Sequence, residues 1–148
     1  MARGPTLRER ALKMLSRREH TRAELVRKLA PHVSSEDELE PLLDELTRGN
    51  LLSEARYAES RARQLSRKFG AARIAQELRA KGLSKEAAAA ATDAARASEL
   101  ERAREVWRRK FRSPPGTREE RAKQIRFLQS RGFSFDAIRA VTGGTEEE

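Results

Sequence analysis

The sequence contains no cysteine, so no disulfide can staple it and no thiolate can act as nucleophile or metal ligand. One Trp, one Tyr and five Phe are too few and too scattered for a row of base-stacking aromatics. His20 and His32 are the only imidazoles, and no acidic cluster stands around them at ligand spacing. Both read as exposed loop residues, and no metal site is expected. Neither GxGxxG nor GxxxxGK[ST] occurs, so no glycine loop cradles a phosphate. No motif frames a serine as a nucleophile. These absences argue against an enzyme and against a bound cofactor. No apolar run approaches the ~20 residues that span a bilayer, and residues 1–5 hold no signal-peptide core. The chain is expected to be cytoplasmic, with no membrane contact.

Hydrophobic mass is scarce too. Leu, Ile, Val and Phe together make 28 of 148 residues, which with a net charge of +9 puts the composition at the edge of the disordered class. Regularity argues for order. Leu7, Ala11, Met14 and Leu15 share one helical face. Thr21 with Glu24 forms a capping box for a helix through Leu25 and Leu29, which Pro31 ends. Ser35 with Glu38 suggests another box, before a helix carrying Leu39, Leu42, Leu43 and Leu46 and stopping at Gly49.

This pattern recurs twice. Ser53 caps a helix through Tyr57, Ala58 and Leu65; Ile74 and Leu78 mark a second; Ser84 caps a third. Then Ser98 is placed to cap a helix with Leu100, Ala103, Trp107 and Phe111 on one side. Pro114 and Pro115 break it, Thr117 with Glu120 boxes the next, and Ser134 caps the last, through Ile138 and Val141. Leu29, Leu78 and Leu128 are each followed three residues later by His32, Lys81 and Arg131, then by an apolar residue and a serine. A period of about 50 residues is in the range of tandem helical units. The expected fold is all-α: three tandem three-helix modules in an elongated arrangement. They cover 5–52, 53–97 and 98–143, with 144–148 as a disordered acidic tail.

Charge is unevenly spread. The first module is nearly balanced, and the acids Glu36, Asp37, Glu38, Glu40, Asp44 and Glu45 crowd around its third helix. The second and third modules hold the excess cations, in one run from Arg56 to Lys85 and another from Arg102 to Arg112. In the latter, Arg104, Arg108 and Arg112 fall at i, i+4 and i+8, a row that could track phosphates or an acidic protein surface. Trp107, Tyr57 and Phe127 read as core, and Phe69, between Lys68 and Gly70, is left without a role.

Four stretches resemble the RecX family. Leu51-Leu52-Ser53-Glu54-Ala55-Arg56-Tyr57-Ala58 is similar to the opening of that family's second module. Gly70-Ala71-Ala72-Arg73-Ile74-Ala75-Gln76-Glu77-Leu78-Arg79-Ala80-Lys81-Gly82-Leu83 resembles its continuation. Leu128-Gln129-Ser130-Arg131-Gly132-Phe133-Ser134 resembles the C-terminal signature, and residues 11–29 the N-terminal one. The resemblance covers nearly the whole chain, in order. It implies a regulator of the RecA recombinase, acting in DNA repair, recombination and the SOS response. Such a protein binds the RecA filament on single-stranded DNA and inhibits its extension, ATPase and strand exchange.

On the basic runs and matched motifs, Arg61, Arg67, Lys68, Arg73, Lys81, Arg108, Arg126 and Arg131 are expected to meet the RecA filament or DNA, single- or double-stranded. The protein is expected to be a monomer. The alternative is a basic helical DNA-binding or nucleoid-associated protein that needs no RecA. Arg73 lies early in its helix, where a cation is unfavourable to the dipole. Its replacement by Glu is therefore expected to weaken filament binding and leave the melting temperature nearly unchanged.

Overall fold

The computed structural model describes residues 4–35 and 37–143. These form nine α-helices and no strand: α1 (Leu7–Arg17), α2 (Arg22–Leu29), α3 (Leu39–Arg48), α4 (Glu54–Leu65), α5 (Ala71–Ala80), α6 (Lys85–Ala97), α7 (Glu99–Lys110), α8 (Arg118–Ser130) and α9 (Phe135–Thr142). A 3₁₀ turn, Ala30–His32, carries the chain through Pro31. Expected residues 144–148 of the acidic tail, and Glu36, lie outside the described residues.

The architecture is three tandem three-helix modules, each with its own core. The first core is built on Ala11, Leu25, Leu29, Leu42, Leu43, Leu46 and Leu52. The second gathers Tyr57, Ile74, Leu78 and Leu83 with a bed of alanines from α4 and α6. The third holds Ala103, Val106, Leu128, Phe133, Ala137 and Ile138. Full burial of a Leu or Ile contributes about 1.5–3 kcal/mol, so a few such residues per module must be backed by good capping. Six of the nine helices receive a side-chain cap. Thr6, Thr21 and Thr117 form complete capping boxes with Glu9, Glu24 and Glu120, and Ser53, Ser84 and Ser134 cap α4, α6 and α9.

Four local expectations are corrected. Ser35 does not open α3, which starts at Leu39 without a side-chain cap. Half of the expected box does form, since its N–H donates to Glu38 Oε2 at 2.9 Å, but its hydroxyl accepts from Asp37 N–H at 3.4 Å rather than from Glu38 N–H. Pro41 is the reason: it has no N–H and its ring would clash with the carbonyl four residues earlier, so it is tolerated only in a helix's first turn. Gly49 is the last half-helical residue, and the left-handed position falls on Asn50, φ 61°. Leu51 N–H then bonds Leu46 O at 2.9 Å and Asn50 N–H bonds Thr47 O at 3.0 Å, the paired bonds of a Schellman turn. Ser98 makes no cap bond, because its hydroxyl is engaged with Ala95 O and the Arg102 side chain. Leu100 is 42% exposed while its neighbour Glu99 is only 8% exposed. The face of α7 is thus turned by one residue, and the cause is the polar seam described next.

Candidate partner-binding surface at the module junctions

The second and third modules meet backbone to backbone. Gly70 N–H donates to Arg131 O at 2.7 Å. A Cβ on Gly70 would lie 2.4 Å from Gly132 O, and one on Gly132 would lie 2.4 Å from Arg73 Cβ. Only glycines allow this approach, and Gly132 also holds φ +87°. Beside the contact lies the buried Glu99 carboxylate. One oxygen accepts from Ala71 N–H at 2.8 Å and the other from Ser134 N–H at 2.7 Å, so a single side chain serves the N-termini of α5 and α9. Arg102 completes the seam, donating to the carbonyls of Ser66, Phe69 and Ala95. Burial lowers its pKa, against the opposing pull of Glu99.

Cations and aromatic rings surround this seam. The Arg73 guanidinium stands 4.6 Å from the Phe69 ring centroid. Arg131 lies 5.7 Å from Phe69 and 4.9 Å from Phe127, within cation–π reach of a ring in each module. Lys110 faces Phe127 at 5.5 Å. An open groove of about 330 Å³ runs between the modules, lined by Arg67, Lys68, Val106, Arg109, Lys110, Phe127 and Arg131. Phe69 therefore has a role that the sequence left open: it floors a cluster of guanidinium groups.

The eight expected site residues separate into groups. Arg67, Lys68, Arg73 and Arg131 come together at this second junction. Arg61 and Lys81 line a different pocket, between the first and second modules, with Arg18, Glu19, Glu24, Tyr57, Ser60 and Gln64. Arg108 is exposed on α7 and pairs with Glu105 at 3.6 Å. Arg126 is exposed on α8. The row through Arg112 is broken, since α7 ends at Lys110 and Phe111 turns extended. Arg109 and Lys110, missing from the expected set, belong to the groove. Adjacent cations on one helix gave no signal of which would face a neighbouring module.

Arg73 is committed inside the molecule. Besides its contact with Phe69, it donates to Ser130 O at 3.3 Å and pairs with Glu77 at 3.5 Å. Its position early in α5 is explained by the third module, a partner that helix-dipole reasoning did not include. Glu40, Asp44 and Glu45 of the first module are likewise paired. Arg22 pairs with Glu40 at 2.6 Å and Asp44 at 3.0 Å, and Arg8 pairs with Glu45. His32 is exposed as expected, but His20 is 2% exposed, held between Arg18 O and Lys28 Nζ.

Comparison with known proteins places this geometry. Models of the RecX first, second and third three-helix domains match residues 8–46, 53–91 and 97–142. The regulatory protein RecX of Leptothrix cholodnii is 53% identical over 136 residues, covering 92% of this chain and 87% of its relative. This chain belongs to the RecX family. The RecX of Ralstonia nicotianae is 47% identical, with 95% of this chain and 89% of the relative covered. That of Chromobacterium violaceum is 45% identical, with 99% and 95% covered. A crystal structure of a regulatory protein RecX superposes with TM-score 0.76 at 26% identity, over 93% of this chain and 72% of that one. RecX from Lactobacillus salivarius gives 0.75 at 25%, over 93% and 92%. Among the described residues, no helix is long and apolar enough to cross a membrane, and no group of three or more His, Asp or Glu could hold a metal ion.

Proposed function

We propose that this chain regulates the RecA recombinase by binding the RecA–single-stranded DNA filament and inhibiting its extension, ATPase and strand-exchange activities. It acts in the cytoplasm as a monomer, without catalysis or cofactor, through modules divided at 52/53 and 97/98. The observation that carries this reading is the in-order match of all three RecX domains. The cation-lined groove is compatible with it: Arg67, Lys68, Arg109 and Lys110 present positive charge to phosphates or acidic protein surface. Arg61, Lys81, Arg108, Arg126 and Arg131 are further proposed contacts.

The same groove favours a second reading, in which the protein binds DNA without RecA. Titration of the protein into RecA, single-stranded DNA and ATP tests the first. Hydrolysis is expected to fall at well below one regulator per RecA subunit. Unchanged hydrolysis at equimolar protein, with salt-sensitive binding to bare DNA, would leave the second reading standing alone.

A further inference from the structure

The pocket between the first and second modules differs in character from the basic groove. It measures about 280 Å³ and is lined by Arg18, Glu19, Glu24, Tyr57, Ser60, Arg61, Gln64 and Lys81. Tyr57 is 6% exposed, its ring packed in the second core. Its hydroxyl makes no hydrogen bond to any described residue, although buried polar groups are normally paired. Burial raises the pKa of this hydroxyl, the Glu24 charge adds to that, and Arg61 and Arg18, which wall the same pocket with Glu24, oppose it.

An inventory of donors and acceptors decides what such a pocket could hold. Both acids in the wall are already paired. Glu24 takes two bonds from Arg18 at 3.2 Å and one from Thr21 N–H at 2.9 Å. Glu19 takes Arg56 Nε at 2.9 Å. Arg61 uses one nitrogen on Gln64 Oε1 at 3.0 Å, leaving its other donors and the Gln64 amide nitrogen uncommitted. Lys81 Nζ and the Ser60 hydroxyl have no partner among the described residues. Five groups in the wall thus have a donor to spare: a phenol, a hydroxyl, an amide, a guanidinium and an ammonium. Such a set matches a small oxyanion. The fixed Glu19 and Glu24 charges in the wall, and Glu54 in the adjoining cleft, oppose a row of phosphates but tolerate one monoanion.

We propose that the pocket walled by Tyr57, Ser60, Arg61, Gln64 and Lys81 receives a single carboxylate from an acidic side chain of a protein partner. That this partner is the RecA filament rests on the function proposed above; the carboxylate chemistry does not.

Tyr57 is the sole tyrosine of the chain, so tyrosine labelled with carbon-13 at Cζ gives one resonance reporting on this site. Titrating the full chain with amide-blocked N-acetylglutamate should shift that resonance saturably, in the millimolar range of a weak isolated contact, about −4 kcal/mol. Blocked glutamine should not shift it. Lys81→Gln and Arg61→Gln should each weaken the response about tenfold, one charge-assisted hydrogen bond apiece. Circular dichroism confirms that the variants remain folded. Absence of a saturable response, or an equal response to blocked glutamine, would overturn the proposal. So would tighter saturation by dimethyl phosphate, which would assign the pocket to nucleic-acid backbone. A glutamate response together with normal RecA-filament binding by Lys81→Gln would uphold the carboxylate receptor and remove RecA as its source.

Discussion

The Gly70 N–H and the Arg131 carbonyl, 61 residues apart in a chain of 148, are joined by a 2.7 Å hydrogen bond. No side chain can enter between them. Gly70→Ala would drive a methyl into Gly132 O and Phe133 Cα, both backbone atoms that cannot rotate away. A loss of about 3 kcal/mol, the upper end of overpacking costs, is expected in urea denaturation. Unchanged stability would mean that the seam opens in solution.

Glu99→Gln retains the shape of the side chain but turns one acceptor into a donor facing Ala71 N–H or Ser134 N–H. The loss of a charge-assisted bond and the orphaned backbone donor should together cost about 3 kcal/mol. Glu101→Gln, an exposed neighbour on α7, is the control and should change stability by less than about 0.5 kcal/mol.

Arg73→Glu is expected to destabilise, contrary to the reading from helix position alone. It removes the Phe69 contact and the bond to Ser130 O, and it sets a second carboxylate one helical turn before Glu77. A cost of roughly 1–2 kcal/mol corresponds to a fall of several degrees in melting temperature. Lys68→Gln, whose exposed side chain makes no ion pair among the described residues, should leave melting unchanged and is the cleaner probe of partner binding. Equal melting of Arg73→Glu and the parent would restore the original expectation.

His20 links stability of the first module to pH. Lys28 Nζ can only donate, so His20 Nε2 accepts at 3.3 Å and Nδ1–H donates to Arg18 O at 3.0 Å. Burial lowers the pKa first; the carbonyl bond and Glu24 oppose this, and the charges of Arg18 and Lys28 reinforce it. The native state therefore binds fewer protons than the unfolded chain once pH drops below about 6.5. Stability is full above that pH and declines as pH falls toward the lower native value. His20→Gln should flatten the curve in this window, and parallel curves for the two proteins would refute the assignment.

Much of this was legible in the sequence because it is local. Thr21–Glu24, Thr117–Glu120, Ser53, Ser84 and Ser134 act within four residues of themselves, and each caps as its spacing implies. What escaped is set by distant chain. Glu99 is buried because Ala71 and Ser134 need an acceptor, and that drives Leu100 outward. His20 is the exception, held by near neighbours, Arg18 O two residues before it and Lys28 Nζ eight after, in a fold-back that helical spacing does not reveal. The site residues behaved alike: Arg67, Lys68, Arg73 and Arg131 converge, whereas Arg61 and Lys81 lie at another junction, and no periodicity distinguishes the two sets.

The Glu99 bridge also imposes a schedule. Helix α5 has Gly70 as its N-cap, which offers no side-chain bond, and the N–H of its first residue, Ala71, waits for a carboxylate 28 residues further on. On a ribosome adding about 5–20 residues per second, α5 leaves the exit tunnel seconds before its acceptor does. The second module is therefore finished by the third, and the nascent chain holds a frayed helix end until α7 arrives to close it.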